Sequence, residues 1–223
     1  MVKKSKNNKG KVYPELGRRV FVAMSGGVDS SVAAGLLKQE GYDVVGVHMK
    51  CWSGGSPSTA LGIAPSSELG VSCGEQDAQD ARRAAEILEI PFYVFDFEDE
   101  YKKEVVKYMV DGYRLGITPN PDMMCNKEIK FGLFLKKALE MGADYIATGH
   151  YVRLQRRIMN QELGIKKIKK PLFIIHYSLF TARDAQKDQS YFLWTLTQEQ
   201  LRYCLFPIGD YIKSDVRKMA RKF

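Results

Sequence analysis

The stretch from Arg18 to Gly41 constrains this chain more than any other. It reads RRVFVAM, then SGGVDSS, then VAAGLLKQEG. A short apolar run, a glycine pair among hydroxyls and a carboxylate, and an amphipathic run predict a strand feeding a tight loop that opens into a helix. Such a junction sets backbone N–H groups and the positive end of a helix dipole where an anion can sit. Gly26 and Gly27 carry no Cβ and tolerate positive φ, so the backbone can approach an anion closely. Ser25 and Ser30 add hydroxyl donors, and Asp29 can hold a magnesium ion or orient a bound group. Ala23, Met24 and Val28 complete the candidate loop. It lacks the lysine that follows the second glycine of a Walker phosphate loop. An ordinary strand–turn–helix with a glycine turn is the alternative.

Further strands and helices follow in alternation. Asp43 to Met49 (DVVGVHM) and Phe92 to Phe95 (FYVF) read as strands, and Asp144 to Thr148 (DYIAT) as a fourth. Gly74 to Leu88, Glu98 to Leu115 and Lys127 to Met141 read as helices between them. Residues 53–72 are rich in Gly, Pro and Ser and read as a long mobile loop. Strands and helices at these intervals predict an α/β fold: a Rossmann-like, doubly wound, mostly parallel sheet covered on both faces. Ligands in such sheets sit at the strand C-terminal ends, where the loop after Met24, Met49 and Gly149 would gather.

Past Tyr151 the texture changes. Residues 153–170 are strongly basic, and Phe173 to Phe180 is β-like. Tyr191 to Leu196, Glu199 to Leu205 and Asp215 to Lys222 look helical, the last with Ser214 as N-cap and no terminator before Phe223. The expected organisation is a basic tail over 1–17, a phosphate-loop domain over 18–152, and a basic insert with a helical extension over 153–223.

At 223 residues, 45% hydrophobic and 27% charged, the composition is that of a globular chain. No apolar run approaches the ~18 residues needed to span a bilayer, so no membrane partner is expected. The lysine-rich N-terminus has no apolar core and is not a secretory signal. A formal net charge of +8 suggests an anionic partner, with nucleic acid leading. Cys51, Cys73, Cys125 and Cys204 form no C-x-x-C pair, which argues against a zinc knuckle or a secreted disulfide framework; no ligand spacing supports a metal centre.

Three more segments carry chemistry. In TPNPDMMC, Thr118 to Cys125, Pro119 and Pro121 pre-shape the loop. Cys125 is expected just before a helix N-terminus, near Lys127 and Lys130; a dipole and cations there would lower its pKa and favour the thiolate. Asp122 is available as a base or anchor. The alternative is a buried cysteine at a helix start. In ATGHY, Gly149 could admit a nucleotide to the backbone and His150 could touch a phosphate or base. In KDQSYFLWTL, Lys187 and Gln189 suit phosphate and sugar contacts.

The SGGVDSS wording resembles the pyrophosphate loop of the ATP pyrophosphatases, whose fold is that of the adenine nucleotide α-hydrolases. Together with HMK-x-W at residues 48–52, TPNPDMMCNKEIKFG, DYIATGHYVR and KDQSYFLWTL, it resembles one family closely: the tRNA-specific 2-thiouridylases. That resemblance implies ATP-dependent 2-thiolation of the wobble uridine of tRNA, a sulfurtransferase reaction through an adenylated uridine, in the cytoplasm or the mitochondrial matrix. ATP, with Mg2+, would bind over Ala23, Met24, Ser25, Gly26, Gly27, Val28, Asp29 and Ser30, with contacts at Met49 and Gly149. Asn120, Pro121 and Asp122 would border the target base, and Cys125 would be the nucleophile or resolving thiol. His150, Lys187, Asp188 and Gln189 would contact tRNA. A persulfide sulfur donor protein is implied as partner, and a disulfide bond as part of the chemistry.

The family's persulfide-carrying cysteine lies a short way beyond Phe223, and its β domains further on. The resemblance therefore implies a catalytic N-terminal portion, with the chain ending inside an element. Cys51 stands where the family usually has Asn, Cys73 falls where relatives often carry a cysteine, and Cys204 reads as core. Two other readings remain: another ATP pyrophosphatase, which leaves TPNPDMMC unexplained, and a non-catalytic tRNA- or nucleotide-binding remnant.

Overall fold

A computed structural model describes residues 17–52, 73–161 and 172–223. The lysine-rich tail, the Gly/Pro/Ser-rich segment and the middle of the basic insert lie outside them. β1 (Arg19–Ala23) leads into α1 (Val28–Gln39), then β2 (Asp43–Lys50). α2 (Cys73–Ile87) precedes β3 (Phe92–Asp96). A helical segment, α3, covers residues 98–114 through Glu98–Tyr101, a π-helical stretch Lys102–Val106, and Lys107–Arg114. A second, α4, covers residues 121–140 through Pro121–Met124, a π-helical Cys125–Phe134, and Leu135–Glu140. β4 (Tyr145–Ala147), the strands β5 (Val152–Gln161) and β6 (Leu172–Thr181), α5 (Gln198–Leu201), β7 (Cys204–Leu205) and α6 (Lys213–Ala220) complete the order.

Five strands form one parallel sheet in the order β3-β2-β1-β4-β7. Alternation along β1 divides the core between the two faces. Phe21 and Ala23 face one side with Val45, Val47, Phe95, Phe131, Phe134 and Ile146. Val20 and Val22 face the other with Val44, Leu37, Ala81 and Ala85. Both faces are covered, which is why the strands are apolar runs rather than alternating ones. The expected fold class, a Rossmann-like α/β sheet wound on both faces, is the one observed. β1 is flanked by β2 on one side and β4 on the other, so the winding reverses between β1 and β4. A crevice opens at such a reversal, outside the strand C-termini.

The expectations past residue 152 need correction. The β-like run Phe173 to Phe180 is strand β6, and the helices expected after it form only in part. β5 and β6 pair antiparallel from Val152↔Thr181 to Gln161↔Leu172. Expected helix over 191–196 is a single 3-10 turn, Ser190–Phe192. Expected helix over 199–205 stops at Leu201, and Cys204–Leu205 becomes the fifth strand of the parallel sheet. Only two residues pair there, too few to show an alternating pattern in sequence. Cys204 is buried core, as expected. α6 ends at Ala220, so its last turn closes before Phe223. Among the described residues no helix is long and apolar enough to cross a membrane.

Candidate functional site

The loop after β1 is shaped by two short-range constraints. Gly26 has φ +79°, and a Cβ there would lie 2.7 Å from the Asp77 carbonyl oxygen of α2. Any other residue would be strained and would collide with backbone. Gly27 is different: φ −79° and ψ 161° are ordinary extended values, so its expected positive φ is not used. It is the N-cap of α1, and no side chain caps that end. The first-turn N–H groups are thereby left for an outside acceptor. Ser30 draws the loop together. Its hydroxyl accepts from Ser25 N–H at 3.2 Å and donates to the Gly27 carbonyl at 3.1 Å.

β4 delivers Gly149 directly onto this turn. A Cβ at Gly149 would lie 2.7 Å from Ser30 N and 2.8 Å from the Asp29 carbonyl carbon. The switch point thus brings together residues more than a hundred positions apart. A cavity of about 390 Å³ lies there, within the usual range for small-molecule sites. Ala23, Met24, Ser25, Asp29 and Ser30 line it from the loop, with Met49, Gly149, His150 and Gln189. Cys125 lines it too. Gly26, Gly27 and Val28 belong to the same turn without lining the cavity, and Val28 is exposed.

Cys125 is where sequence and structure disagree most. The helix starts at Pro121, with Asn120 as N-cap accepting from Met123 N–H at 3.0 Å. Cys125 is therefore inside the helix and not just before it. Burial raises its thiol pKa; Lys130 lowers it by less, and Asp122 raises it further. The expected depression of its pKa is reversed because desolvation outweighs the nearby cation. The π-helical winding bonds i to i+5 and puts Cys125, Ile129 and Lys130 on one face of the cavity. Cys51 lines the same cavity, its pKa pushed up to about 12, chiefly by burial and then by Cys125. Cys51, Cys125 and Cys204 are all free thiols, so the implied disulfide bond is absent among the described residues.

Asn120 and Pro121 occupy the N-cap and first helical positions, where Asn and Pro are favoured. Asp122, in the first turn, is exposed and is not a cavity-lining residue. His150 is buried between Phe131 and Phe206, its Nδ1 2.6 Å from Thr148 Oγ1. Burial lowers its pKa to about 3, with Lys130 adding to the effect, so its ring is neutral at ordinary pH. It can offer a hydrogen bond but no charge to a phosphate. Gln189 accepts from Tyr151 N–H at 2.9 Å and fixes the backbone beside His150. Asp188 accepts from Ala182 N–H and from the Ser190 hydroxyl, which makes it a turn organiser. Lys187 is exposed.

Asp29 is the candidate magnesium ligand, and its surroundings do not fit that role. Lys213 Nζ donates to both carboxylate oxygens, at 2.7 and 2.6 Å, and the Tyr151 hydroxyl donates to Oδ1 at 2.9 Å. Its charge is already compensated by the protein. Among the described residues no group of three His, Cys, Asp or Glu could hold a metal ion. Sequence reasoning missed Lys213 because it lies 184 residues away, just before the helix expected over 215–222. It also missed His48, Asp77 and Thr148 as cavity residues, and named Lys130 only as a cation near Cys125. His48 had a signal, since it stands at a strand C-terminal end beside Met49.

The family described as tRNA methyl transferase HUP domain matches residues 18–223. The chain belongs to that family. It is 48% identical over 203 residues to a protein named tRNA-specific 2-thiouridylase MnmA from Moorella thermoacetica, covering 91% of this chain and 51% of that one. A protein of the same name from Geotalea uraniireducens is 47% identical, covering 96% and 50%. The chain spans about half the length of these curated relatives. A solved structure, a predicted subunit of tRNA methyltransferase from Methanocaldococcus jannaschii, aligns with a TM-score of 0.47 and 17% identity, covering 92% of this chain and 75% of that one.

Proposed function

We propose that this chain is the nucleotide-activating portion of a tRNA-uridine 2-sulfurtransferase. The observation that carries the reading is the meeting of the phosphate loop and a cysteine in one cavity at the sheet's switch point. A loop of this kind suits the phosphates of ATP, and an adjacent thiol suits attack on, or sulfur transfer to, a carbon activated by adenylation. The names of the half-matched relatives point the same way.

In this reading ATP lies over Ala23 to Ser30, with Met49 and Gly149 beside it. The wobble uridine, already in a single-stranded loop, is splayed into the cavity at modest cost. Its C2 oxygen attacks the α-phosphate and pyrophosphate leaves; sulfur then replaces the oxygen and AMP leaves. Cys125 is the cavity thiol of that second stage, with Lys130 as the cation that favours its thiolate. Asn120 to Asp122 border the base, and His150 with Lys187 to Gln189 meet tRNA. Sulfur comes from a donor protein as a persulfide. No step is assigned to a metal at Asp29, because the residues there do not fit one.

Two variants test the order of events. Asp29→Ala, which releases Lys213 and the Tyr151 hydroxyl from the loop, should slow tRNA-dependent release of pyrophosphate from ATP. Cys125→Ser, placed in a full-length relative with its own equivalent residue changed, should keep ATP binding while 2-thiouridine disappears from digested tRNA on mass spectrometry. Undiminished 2-thiouridine in that variant would remove Cys125 from the chemistry.

A further inference from the structure

Asp29 stands in the first turn of α1, within the loop proposed to hold phosphates, and two donors from distant parts of the chain converge on it. Lys213 Nζ bridges both oxygens and the Tyr151 hydroxyl reaches one of them. The lysine is itself held in place. Its backbone N–H donates to Asp184 Oδ2 at 2.9 Å, and its ammonium lies 5.8 Å from the centre of the Tyr151 ring. The Lys213 and Asp29 side chains are only 22% and 31% exposed. Water screens such a pair less than one on the open surface.

A carboxylate inside an anion site is an electrostatic conflict. A polyphosphate laid along the turn would meet the negative charge of Asp29 at close range, and like charges brought together are strongly unfavourable. A divalent cation between them would resolve the conflict. Here α6 has already delivered an ammonium to the carboxylate itself.

We infer that Lys213 is the resident counter-ion of Asp29 and a positioning residue of the phosphate loop. By cancelling the carboxylate's charge it lets the loop accept a polyphosphate without a metal ion at Asp29. The same contact closes Asp29 to divalent cations. This inference rests on the reading of the loop as an ATP site.

The experiment uses the whole chain and four variants: Lys213→Gln, Lys213→Arg, Asp29→Asn and the double variant Asp29→Asn with Lys213→Gln. Each is checked for native circular dichroism and melting. Calorimetry then follows Mn2+ alone, and separately ATP in EDTA and ATP with Mg2+. The wild type should show no Asp29-dependent Mn2+ binding, whereas Lys213→Gln should acquire a Mn2+ site that the double variant lacks. In EDTA, Lys213→Gln should bind ATP about tenfold more weakly or worse, from like-charge repulsion. Lys213→Arg should retain most of the affinity, and the double variant should recover it because the repelling charge is gone.

Mn2+ binding to the wild type that Asp29→Asn abolishes would overturn the inference. Equal ATP affinity in EDTA for wild type and folded Lys213→Gln would do the same. Binding of ATP to the wild type only with Mg2+ would also overturn it, while leaving the ATP reading intact. If the wild type bound no ATP under either condition, the ATP reading would fail, and the Mn2+ titrations would still decide whether Lys213 closes Asp29. Should Lys213→Gln fail to fold, the comparison of wild type with Asp29→Asn in Mn2+, together with Lys213→Arg in EDTA, decides between the two outcomes.

Discussion

Cys125 sits between opposing influences that sequence cannot weigh. Lys130, close in sequence and on the same helix face, favours the thiolate, and the sequence displays it openly. Burial favours the thiol, and only the packed structure shows how deep the residue lies. Burial wins, so the folded pKa is above the ordinary thiol range near 8.5. Cys51, at about 12, is shifted in the same direction. The consequence has a definite sign. Because the pKa is raised, the thiolate fraction is small at neutral pH and grows only as pH climbs past the usual thiol value. Iodoacetamide labelling of Cys125, followed by peptide mass mapping, should therefore keep accelerating above pH 9 instead of levelling near 8.5. A plateau at or below pH 8 would mean that the cation dominates after all. Denatured chain, labelled in parallel, supplies the ordinary thiol profile. His150 is a second residue whose character burial decides: its sequence neighbourhood suggests a phosphate contact, and its environment makes it a neutral ring at pH 7.

At the scale of elements, the NPD triplet has a structural task that is separable by mutation from its proposed place beside the target base. Asn120 caps the helix that carries Cys125, Ile129 and Lys130, and Pro121 starts it. Asn120→Ala should lower stability by ~1 kcal/mol through loss of the cap, read as a lower urea midpoint. Asn120→Ser restores an oxygen acceptor for Met123 N–H and should restore most of that stability. If the serine variant is stable yet fails to thiolate tRNA in a full-length setting, the amide also meets the substrate; if it thiolates normally, capping is its whole role. The strands up to β4 were legible as short apolar runs set at regular intervals between longer, helix-patterned segments. The start of α4 was not, since the prolines read as loop punctuation although Pro is at home in a first helical turn. β7 was illegible because a two-residue strand has no period, and its identity comes only from the parallel ladder offered by β4. The strand–turn–helix around SGGVDSS was legible from seven residues, because strand, glycine and helix start are all local. Its partner Lys213 was out of reach, because nothing local marks a lysine as the mate of a carboxylate 184 residues earlier.

At the scale of the molecule, the sheet order puts the cavity at one end of the strands and an aromatic groove of mixed charge, with Asp144 and Glu199 beside its arginines, at the other. Tyr145 opens β4 and Tyr203 precedes β7, and with Tyr177, Arg156 and Arg202 they line that groove. Arg156 and Arg157 are both exposed on β5, but successive strand residues point to opposite faces, and only Arg156 lines the groove. On the proposed function, the pair therefore reports which face a bound tRNA would cover. With a net charge of +8, binding should be dominated by phosphate contacts, and the logarithm of the association constant should fall linearly with the logarithm of salt concentration. Each arginine that meets a phosphate contributes about 0.7–0.9 to the slope. Filter binding across a salt series should thus show a shallower slope for Arg156→Ala if the tRNA runs over the groove, with Arg157→Ala unchanged. The reverse result would put the tRNA on the outer face of the strand. Unchanged slopes in both variants, with binding intact, would confine the tRNA to the cavity end of the sheet, where Lys187 is the exposed cation nearest in sequence to cavity-lining Gln189.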